Sequence, residues 1–202
     1  MRFPKLRMGL FMVAASVLGY WLLLAAGDRL GPDPGKVLVD WLGQGALTLL
    51  LLTLSMTPLR LLTGWPIWII CRRQLGLWSA FYAFLHLLAF LTFILGWNFE
   101  RLAKELLERP YIFVGFVALT GLVPLVVTSN RTSMRYLGRR WVRLHRLVYV
   151  ILVLALLHML WVVRSDLGRW LIYAVPGVVL LAVRFPVMVR LLSLNARAGK
   201  PK

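Results

Sequence analysis

Residues 144–163 read LHRLVYVILVLALLHMLWVV, twenty positions in which Arg146 is the only arginine and no lysine, aspartate or glutamate occurs. About 20 apolar residues are needed for a helix to cross the roughly 30 Å hydrocarbon core of a bilayer. The segment is apolar all round and lacks the alternation of a barrel strand, so it predicts a transmembrane helix. It also contains His145 and His158, and ionisable residues inside a membrane are costly and usually functional.

The rest of the chain repeats this apolar pattern. Of its 202 residues 60% are hydrophobic and 15% charged, which excludes a water-soluble globular domain. We predict an all-α integral membrane protein, a six-transmembrane-helix bundle forming one domain over 1–202, with no internal repeat. The predicted spans are 8–26, 41–59, 75–97, 111–128, 144–163 and 170–189. We interpret the first as a retained helix, because a secretory signal has a shorter apolar stretch of about 7–15 residues.

Basic residues predict the orientation of the bundle. Seventeen lysines and arginines fall on the side that carries both termini, and seven fall on the other side together with all seven acidic residues. By the positive-inside rule both termini are cytoplasmic. The net charge of +17 could indicate nucleic acid. The basic residues stand between apolar runs, however, which indicates membrane topology and contact with anionic lipid, and no nucleic acid partner.

Two histidines are predicted to lie at the same depth in the membrane. His86 follows Arg73 by 13 residues on span three, and His158 follows Arg146 by 12 residues on span five. At 1.5 Å per residue these depths are about 20 Å and 18 Å. Two imidazoles so placed predict axial ligation of a b-type haem. An interhelical hydrogen bond from each histidine is the alternative. No cysteine or carboxylate within the predicted spans complements them as in a zinc or di-iron site.

His145 lies about 20 Å from His158 along the same helix, a separation that suits a second haem. No other histidine can face it, since Arg72 and Arg73 occupy that level on span three. Thirteen residues also rotate about 220° around an ideal helix. Either the helix is distorted or His145 contacts a propionate or an electron donor. Four arginines are candidates for propionate or partner contacts: Arg72, Arg73, Arg143 and Arg146.

A series of short motifs resembles one known family in order and spacing. They are Gly-Pro-Asp-Pro at 31–34, Arg-Arg-Gln-Leu-Gly-Leu-Trp at 72–78, Leu-His-Leu at 85–87, Glu-Arg-Pro-Tyr at 108–111, Thr-Ser-Asn at 128–130 and Leu-Gly-Arg-Arg-Trp-Val-Arg-Leu-His-Arg-Leu-Val-Tyr at 137–149, followed by His158 and Trp161. From about Gly31 to Pro186 the chain resembles the MsrQ (YedZ) family. These are haem-binding membrane subunits of the periplasmic methionine-sulfoxide reductase system, in the ferric-reductase-like transmembrane superfamily.

The resemblance implies a function. It implies one or two b-type haems between spans three and five, in the bacterial inner membrane. Electrons would come from the quinone pool or a cytosolic flavin reductase and pass to the periplasmic molybdopterin subunit MsrP, which reduces methionine sulfoxide in oxidised proteins. FMN is implied by the resemblance alone. Larger superfamily members place two histidines on span three, where this chain has only His86, so the number of haems stays open.

Two other functions stay open. One is a small transporter that uses the histidines as proton relays, and the other is a membrane scaffold. A transporter predicts carboxylates or broken helices near the midplane, and no predicted span contains Asp or Glu. The chain has no nucleotide-binding fingerprint, so an electron-transfer subunit without a catalytic site of its own would take and give electrons through other molecules.

Overall fold

The computed structural model describes residues 3–184, and this part of the chain is helical throughout apart from its connections. The α-helices are α1 (Pro4–Ala26), α2 (Pro34–Thr63), α3 (Ile67–Ala89), α4 (Phe99–Glu108), α5 (Pro110–Val127), α6 (Arg131–Leu137), α7 (Arg139–His145), α8 (Leu147–Val162) and α9 (Leu167–Ala182). A π-helical turn, Phe90–Leu95, extends α3.

Five helical segments of the described residues are long and apolar enough to cross a membrane: Pro4–Ala26, Pro34–Thr63, Ile67–Leu95, Pro110–Val127 and Arg139–Val162. They overlap the first five predicted spans, so the prediction of an all-α multi-pass membrane protein is confirmed. The sixth predicted span, 170–189, begins within α9, which has 16 residues. Its last positions, 185–189, lie outside the described residues. The six-helix count and the cytoplasmic location of both termini stay predictions.

Helix α2 begins seven residues earlier than the predicted span. Asp33 caps it by accepting a hydrogen bond from the Lys36 backbone N–H at 3.0 Å, and Pro34 occupies the first turn. Both are favourable at a helix start, since the cap satisfies an orphan donor and proline has no N–H to lose. The helix therefore contains Asp40. The expectation that no membrane helix carries a carboxylate needs this correction.

Short helices in the connections are missed by counting apolar runs. Helix α4 lies between two membrane segments and is capped by Asn98, which accepts from the Arg101 N–H at 2.9 Å. Its ten residues include Glu105, which forms an ion pair with Arg109 at 2.7 Å. A helix of this length and polarity is too short to span the roughly 30 Å of hydrocarbon. It is a surface element that a search for membrane spans passes over.

Two helical hairpins form the centre of the bundle: α2 packs on α3, and α5 packs on α8. Their shared core lies between α2, α5, α8 and α9, where Leu54 and Leu152 are fully buried. Helix α1 lies outside this core and is tied to α3 by Tyr82, whose hydroxyl donates to the Ala14 carbonyl at 2.8 Å. The outer surface is apolar, as a lipid-facing surface must be: Leu23 is 74% exposed.

The two hairpins share sequence at an offset of 72 residues. Residues 43–48 read GQGALT and residues 115–120 read GFVALT. Residues 83–88 read AFLHLL and residues 155–160 read ALLHML. Four of six positions are identical in each comparison. The expectation of no internal repeat is therefore wrong. Apolar helices draw on few residue types, so a repeat inside them does not stand out until the histidines fix the alignment.

Candidate functional site

The structure brings two of the three histidines together. His86 stands near the end of α3 and His158 near the end of α8, and their ring centres are 6.2 Å apart with the ring planes at 83°. Equal depth on two helices was expected from counting residues. Residue counting does not give the direction of the side chains. The packing of the two hairpins turns both of them toward the same space between α3 and α8.

A backbone carbonyl of a neighbouring helix holds each imidazole through Nδ1. His86 Nδ1 lies 2.8 Å from the Val39 oxygen on α2, and His158 Nδ1 lies 2.6 Å from the Tyr111 oxygen on α5. A carbonyl oxygen can only accept, so the proton of each neutral ring is on Nδ1 and the Nε2 lone pair stays available. This is the usual arrangement of a histidine that ligates a metal.

The spacing of the pair fits one metal atom with two axial imidazoles. Metal–imidazole bonds are about 2 Å long, so two rings on opposite sides of a metal have centres roughly 6 Å apart. The observed 6.2 Å meets that requirement. The interhelical hydrogen bond left open as an alternative is also present, but it uses only Nδ1. Among residues 3–184 no group of three His, Cys, Asp or Glu residues could hold an ion by itself.

His145 occupies a different site at the end of α7. Its ring stacks on Trp141 with centres 3.8 Å apart at 26°, and Nδ1 lies 3.1 Å from the Trp141 oxygen. Nε2 is buried and makes no hydrogen bond of good geometry, although the Leu125 backbone lies close enough to interact with the ring. The helix breaks just after it, because Arg146 donates to Arg143 and Tyr149 donates to Arg146 across three residues. This break is the distortion that one alternative for His145 required.

The four predicted arginines are not equivalent. Arg72 is half-buried and close enough to His145 for their charges to interact. Arg73, Arg143 and Arg146 are exposed. Arg143 lines an open surface pocket together with Tyr136, Leu137, Arg139 and Arg140. The structure therefore places Arg72 beside the His145 site and the others on the basic surface of the bundle.

Arg184 was not among the candidates. Its Nη2 donates to the Leu54 carbonyl at 2.6 Å, and its guanidinium carbon lies 5.6 Å from the centre of the Tyr149 ring. It is also close enough to Arg72 for their charges to interact. Its position lies inside the predicted span 170–189, of which it is the only charged residue. A lone ionisable residue inside an apolar span is the sequence signal that could have found it.

The residues that hold the two histidines were also missed. Val39 and Tyr111 act through backbone oxygens, which leave no signature in a sequence. Asp40, next to Val39, is close enough to His86 for their charges to interact. The repeat at 72 residues relates the two carbonyl positions to each other, since Val39 and Tyr111 are themselves 72 apart, but it does not identify either one by itself.

Comparison with known proteins identifies the family of this chain. The family model "Ferric reductase like transmembrane component" matches residues 42–156, which include His86 and His145 and end two residues before His158. A curated protein of Xanthomonas axonopodis pv. citri (strain 306), the protein-methionine-sulfoxide reductase heme-binding subunit MsrQ, is 44% identical over 183 residues. The alignment covers 90% of this chain and 84% of that protein.

This chain belongs to the MsrQ family. This membership confirms the resemblance that the motifs indicate. The chain also belongs to the ferric-reductase-like transmembrane superfamily. No solved structure matches the chain. The two hairpins that carry the facing histidines therefore belong to an MsrQ-family membrane protein. The family model covers most of both hairpins.

Proposed function

We propose that this chain is a haem-containing transmembrane electron-transfer subunit in which His86 and His158 would together hold one b-type haem. The observation that carries the proposal is the 6.2 Å separation of two imidazoles whose Nδ1 atoms are already bonded to carbonyls. Membership of the MsrQ family supports it, since the Xanthomonas relative is named as a heme-binding subunit.

The residues of this chain would do two things for such a cofactor. The carbonyls of Val39 and Tyr111 keep the Nδ1 protons in place, so that both Nε2 lone pairs would be free to bind iron. The apolar side chains of the hairpins exclude water and limit the polar partners of the iron to the two rings. A haem held there supplies a one-electron carrier within the membrane.

Donor and acceptor would be separate molecules. We propose electron entry from the quinone pool or a cytosolic flavin reductase at the basic end of the bundle, in the bacterial inner membrane. That end carries Arg72, His145 and the exposed arginines of α6 and α7, which also suit anionic lipid. FMN stays a proposal from family membership alone.

Electron exit would occur at the opposite end, toward a periplasmic molybdopterin subunit of the MsrP type. Five residues line an open pocket there: Arg109, Tyr111, Trp161, Val162 and Arg164. Tyr111 belongs to this pocket and also holds His158 through its carbonyl. A partner bound at this surface would therefore lie one residue from the ligand. This supports a short route from the His158 side to the acceptor.

The role of His145 is a second, separate proposal. Its Nδ1 is bonded to a carbonyl, and its Nε2 is buried beside the Leu125 backbone without a well-formed hydrogen bond, which leaves that nitrogen a potential metal ligand. No histidine is left to face it, because the other two face each other. We propose that His145 either ligates a second haem together with a non-histidine ligand or contacts a propionate or the electron donor beside Arg72.

Haem content of purified alanine variants tests the proposal. His86→Ala and His158→Ala should each lose most of the haem, because each leaves the iron with one protein ligand in an apolar site. His145→Ala is the matched control on the same helical segment, and should lose less haem or change only one spectral component. If His145→Ala is the emptiest variant, the main site lies at the basic end. If all three keep full haem, histidine ligation is wrong.

One observation favours the transporter alternative. Asp40 lies in α2 within charge range of His86, as a proton relay would require. The absorption spectrum of the purified protein separates the two functions, since an electron-transfer subunit has a Soret band that responds to dithionite. A colourless protein from cells with adequate haem supply would favour the relay.

A further inference from the structure

Two glycines lie against the two imidazoles. A Cβ atom built on Gly43 would lie 3.0 Å from Nδ1 and 3.1 Å from Cε1 of His86. A Cβ atom built on Gly115 would lie 2.7 Å from Nδ1 and 2.8 Å from Cε1 of His158. Non-bonded heavy atoms attract best at about 3.5–4.0 Å, so these separations are repulsive. Any side chain larger than hydrogen would push the ring away.

Each glycine stands one helical turn after the carbonyl that binds the same ring. Val39 and Gly43 lie on one face of α2, and Tyr111 and Gly115 lie on one face of α5, because residues four apart stack along a helix. The carbonyl accepts from Nδ1, and the glycine leaves the space that the ring occupies. Each histidine is thus seated by two consecutive turns of the neighbouring helix.

The two seats are copies of one another in the sequence. Both hydrogen bonds join residues 47 apart. Gly43 and Gly115 are 72 positions apart, as are His86 and His158. The carbonyl positions hold different residues, Val39 and Tyr111, which is expected where only the backbone oxygen is used. The glycine matters because it has no side chain, and the histidine matters because of its imidazole. Both residues are the same in the two copies.

We propose that the two-histidine site is assembled from a duplicated ligand-seating hairpin, in which Gly43 and Gly115 are the positioning residues of His86 and His158. This inference rests on the proposed function, because positioning matters for a pair that shares one metal. A glycine on a neighbouring helix sets the position of each histidine. The arrangement is the same in both halves of the site.

The duplication ends before the level of His145. The position 72 residues before His145 is Arg73, which is exposed on the surface of α3. Helix α3 runs through that level without interruption, whereas its counterpart breaks between α7 and α8 at Arg146. The repeated unit therefore supplies one matched pair of histidines. His145 stands outside it.

Alanine substitution of each glycine tests the positioning role. Loss of a partner that orients a metal ligand usually lowers metal affinity by about 10–100-fold. We expect a loss of haem affinity of that order in Gly115→Ala and a smaller loss in Gly43→Ala, because the clash is closer at Gly115, 2.7 Å against 3.0 Å. Gly76→Ala is the matched control, since its nearest neighbour, Thr53, is at an ordinary 3.5 Å.

Haem titration is measured on wild type and the three variants, together with the reduction midpoint potential and the low-spin ferric EPR signal. A moved ligand shifts the potential and the signal, and a change in overall stability alone does not. Unchanged affinity, potential and signal in both Gly43→Ala and Gly115→Ala would overturn the inference. The inference would also be overturned if Gly43→Ala, the milder variant, did not elute as a monodisperse species, because that result would indicate a role in assembly.

The wild-type protein keeps the two proposals distinguishable. If wild type binds no haem, the proposed function fails before the glycines are considered. If wild type binds haem through both histidines and the glycine variants behave as Gly76→Ala does, only the duplicated seat is wrong.

Discussion

Trp141 should anchor the His145 site, and its two contacts can be separated by substitution. Its Nε1 donates to the Thr128 carbonyl at 2.9 Å, which ties α7 to the end of α5, and its ring stacks on His145 at 3.8 Å. Trp141→Phe removes the hydrogen bond and keeps a ring, whereas Trp141→Leu removes both. A hydrogen bond of this kind contributes about 1 kcal/mol, and an aromatic pair contributes about 1 kcal/mol.

For a chain of this length, a loss of 1 kcal/mol lowers Tm by about 2–4 °C. We therefore expect a fall of about 2–4 °C in Trp141→Phe and roughly twice that in Trp141→Leu. Thermal unfolding in detergent, followed by circular dichroism, measures both. Trp65→Phe is the control, because the Trp65 side chain is 63% exposed. If both Trp141 variants have the same Tm as the control, Trp141 does not stabilise the contact between α7 and α5. Any spectral component that depends on His145 should change in Trp141→Leu and persist in Trp141→Phe.

Three further predictions concern charge, topology and packing. Asp40→Asn should raise the midpoint potential of a haem at His86 by roughly 20–40 mV, because a nearby carboxylate favours the more positive ferric state; redox titration showing no change or a fall would contradict this. A reporter fused to the C-terminus should be active in the cytoplasm, and activity only in the periplasm would reverse the predicted topology. Tyr82→Phe should lower the free energy of unfolding by about 1 kcal/mol, because it removes the hydrogen bond to Ala14. The control Tyr20→Phe should leave Tm unchanged, since Tyr20 is 60% exposed; equal Tm values for the two variants would exclude a stabilising bond from Tyr82 to Ala14.

The membrane helices and the level of the histidine pair were predictable because both depend on one-dimensional quantities. An apolar run of about 20 residues identifies a span, and a rise of 1.5 Å per residue converts sequence distance into depth. His86 and His158 could be matched in this way without knowing which helices touch. The motifs indicate the MsrQ family, and the match to the Xanthomonas relative confirms that family.

The rest of the site depends on contacts between helices, which a single sequence does not encode in readable form. The Val39 and Tyr111 carbonyls are identical to every other backbone oxygen until the hairpins pack. Gly43 and Gly115 matter because an imidazole from another helix occupies the space beside them. The break at Arg146 falls near the start of the predicted span 144–163, which reads as a continuous helix. Asp40 lay outside the predicted span because the cap at Asp33, and not the apolar run, begins α2.

The EPR spectrum of the oxidised protein tests most directly whether His86 and His158 share one iron. Two neutral imidazoles predict a low-spin ferric signal, and ring planes at 83° predict its highly anisotropic form instead of the rhombic form that parallel planes produce. The signal should disappear in His86→Ala and in His158→Ala and survive in His145→Ala. A low-spin signal that persists in both of the first two variants, or a wild type that shows only high-spin iron, would contradict the account.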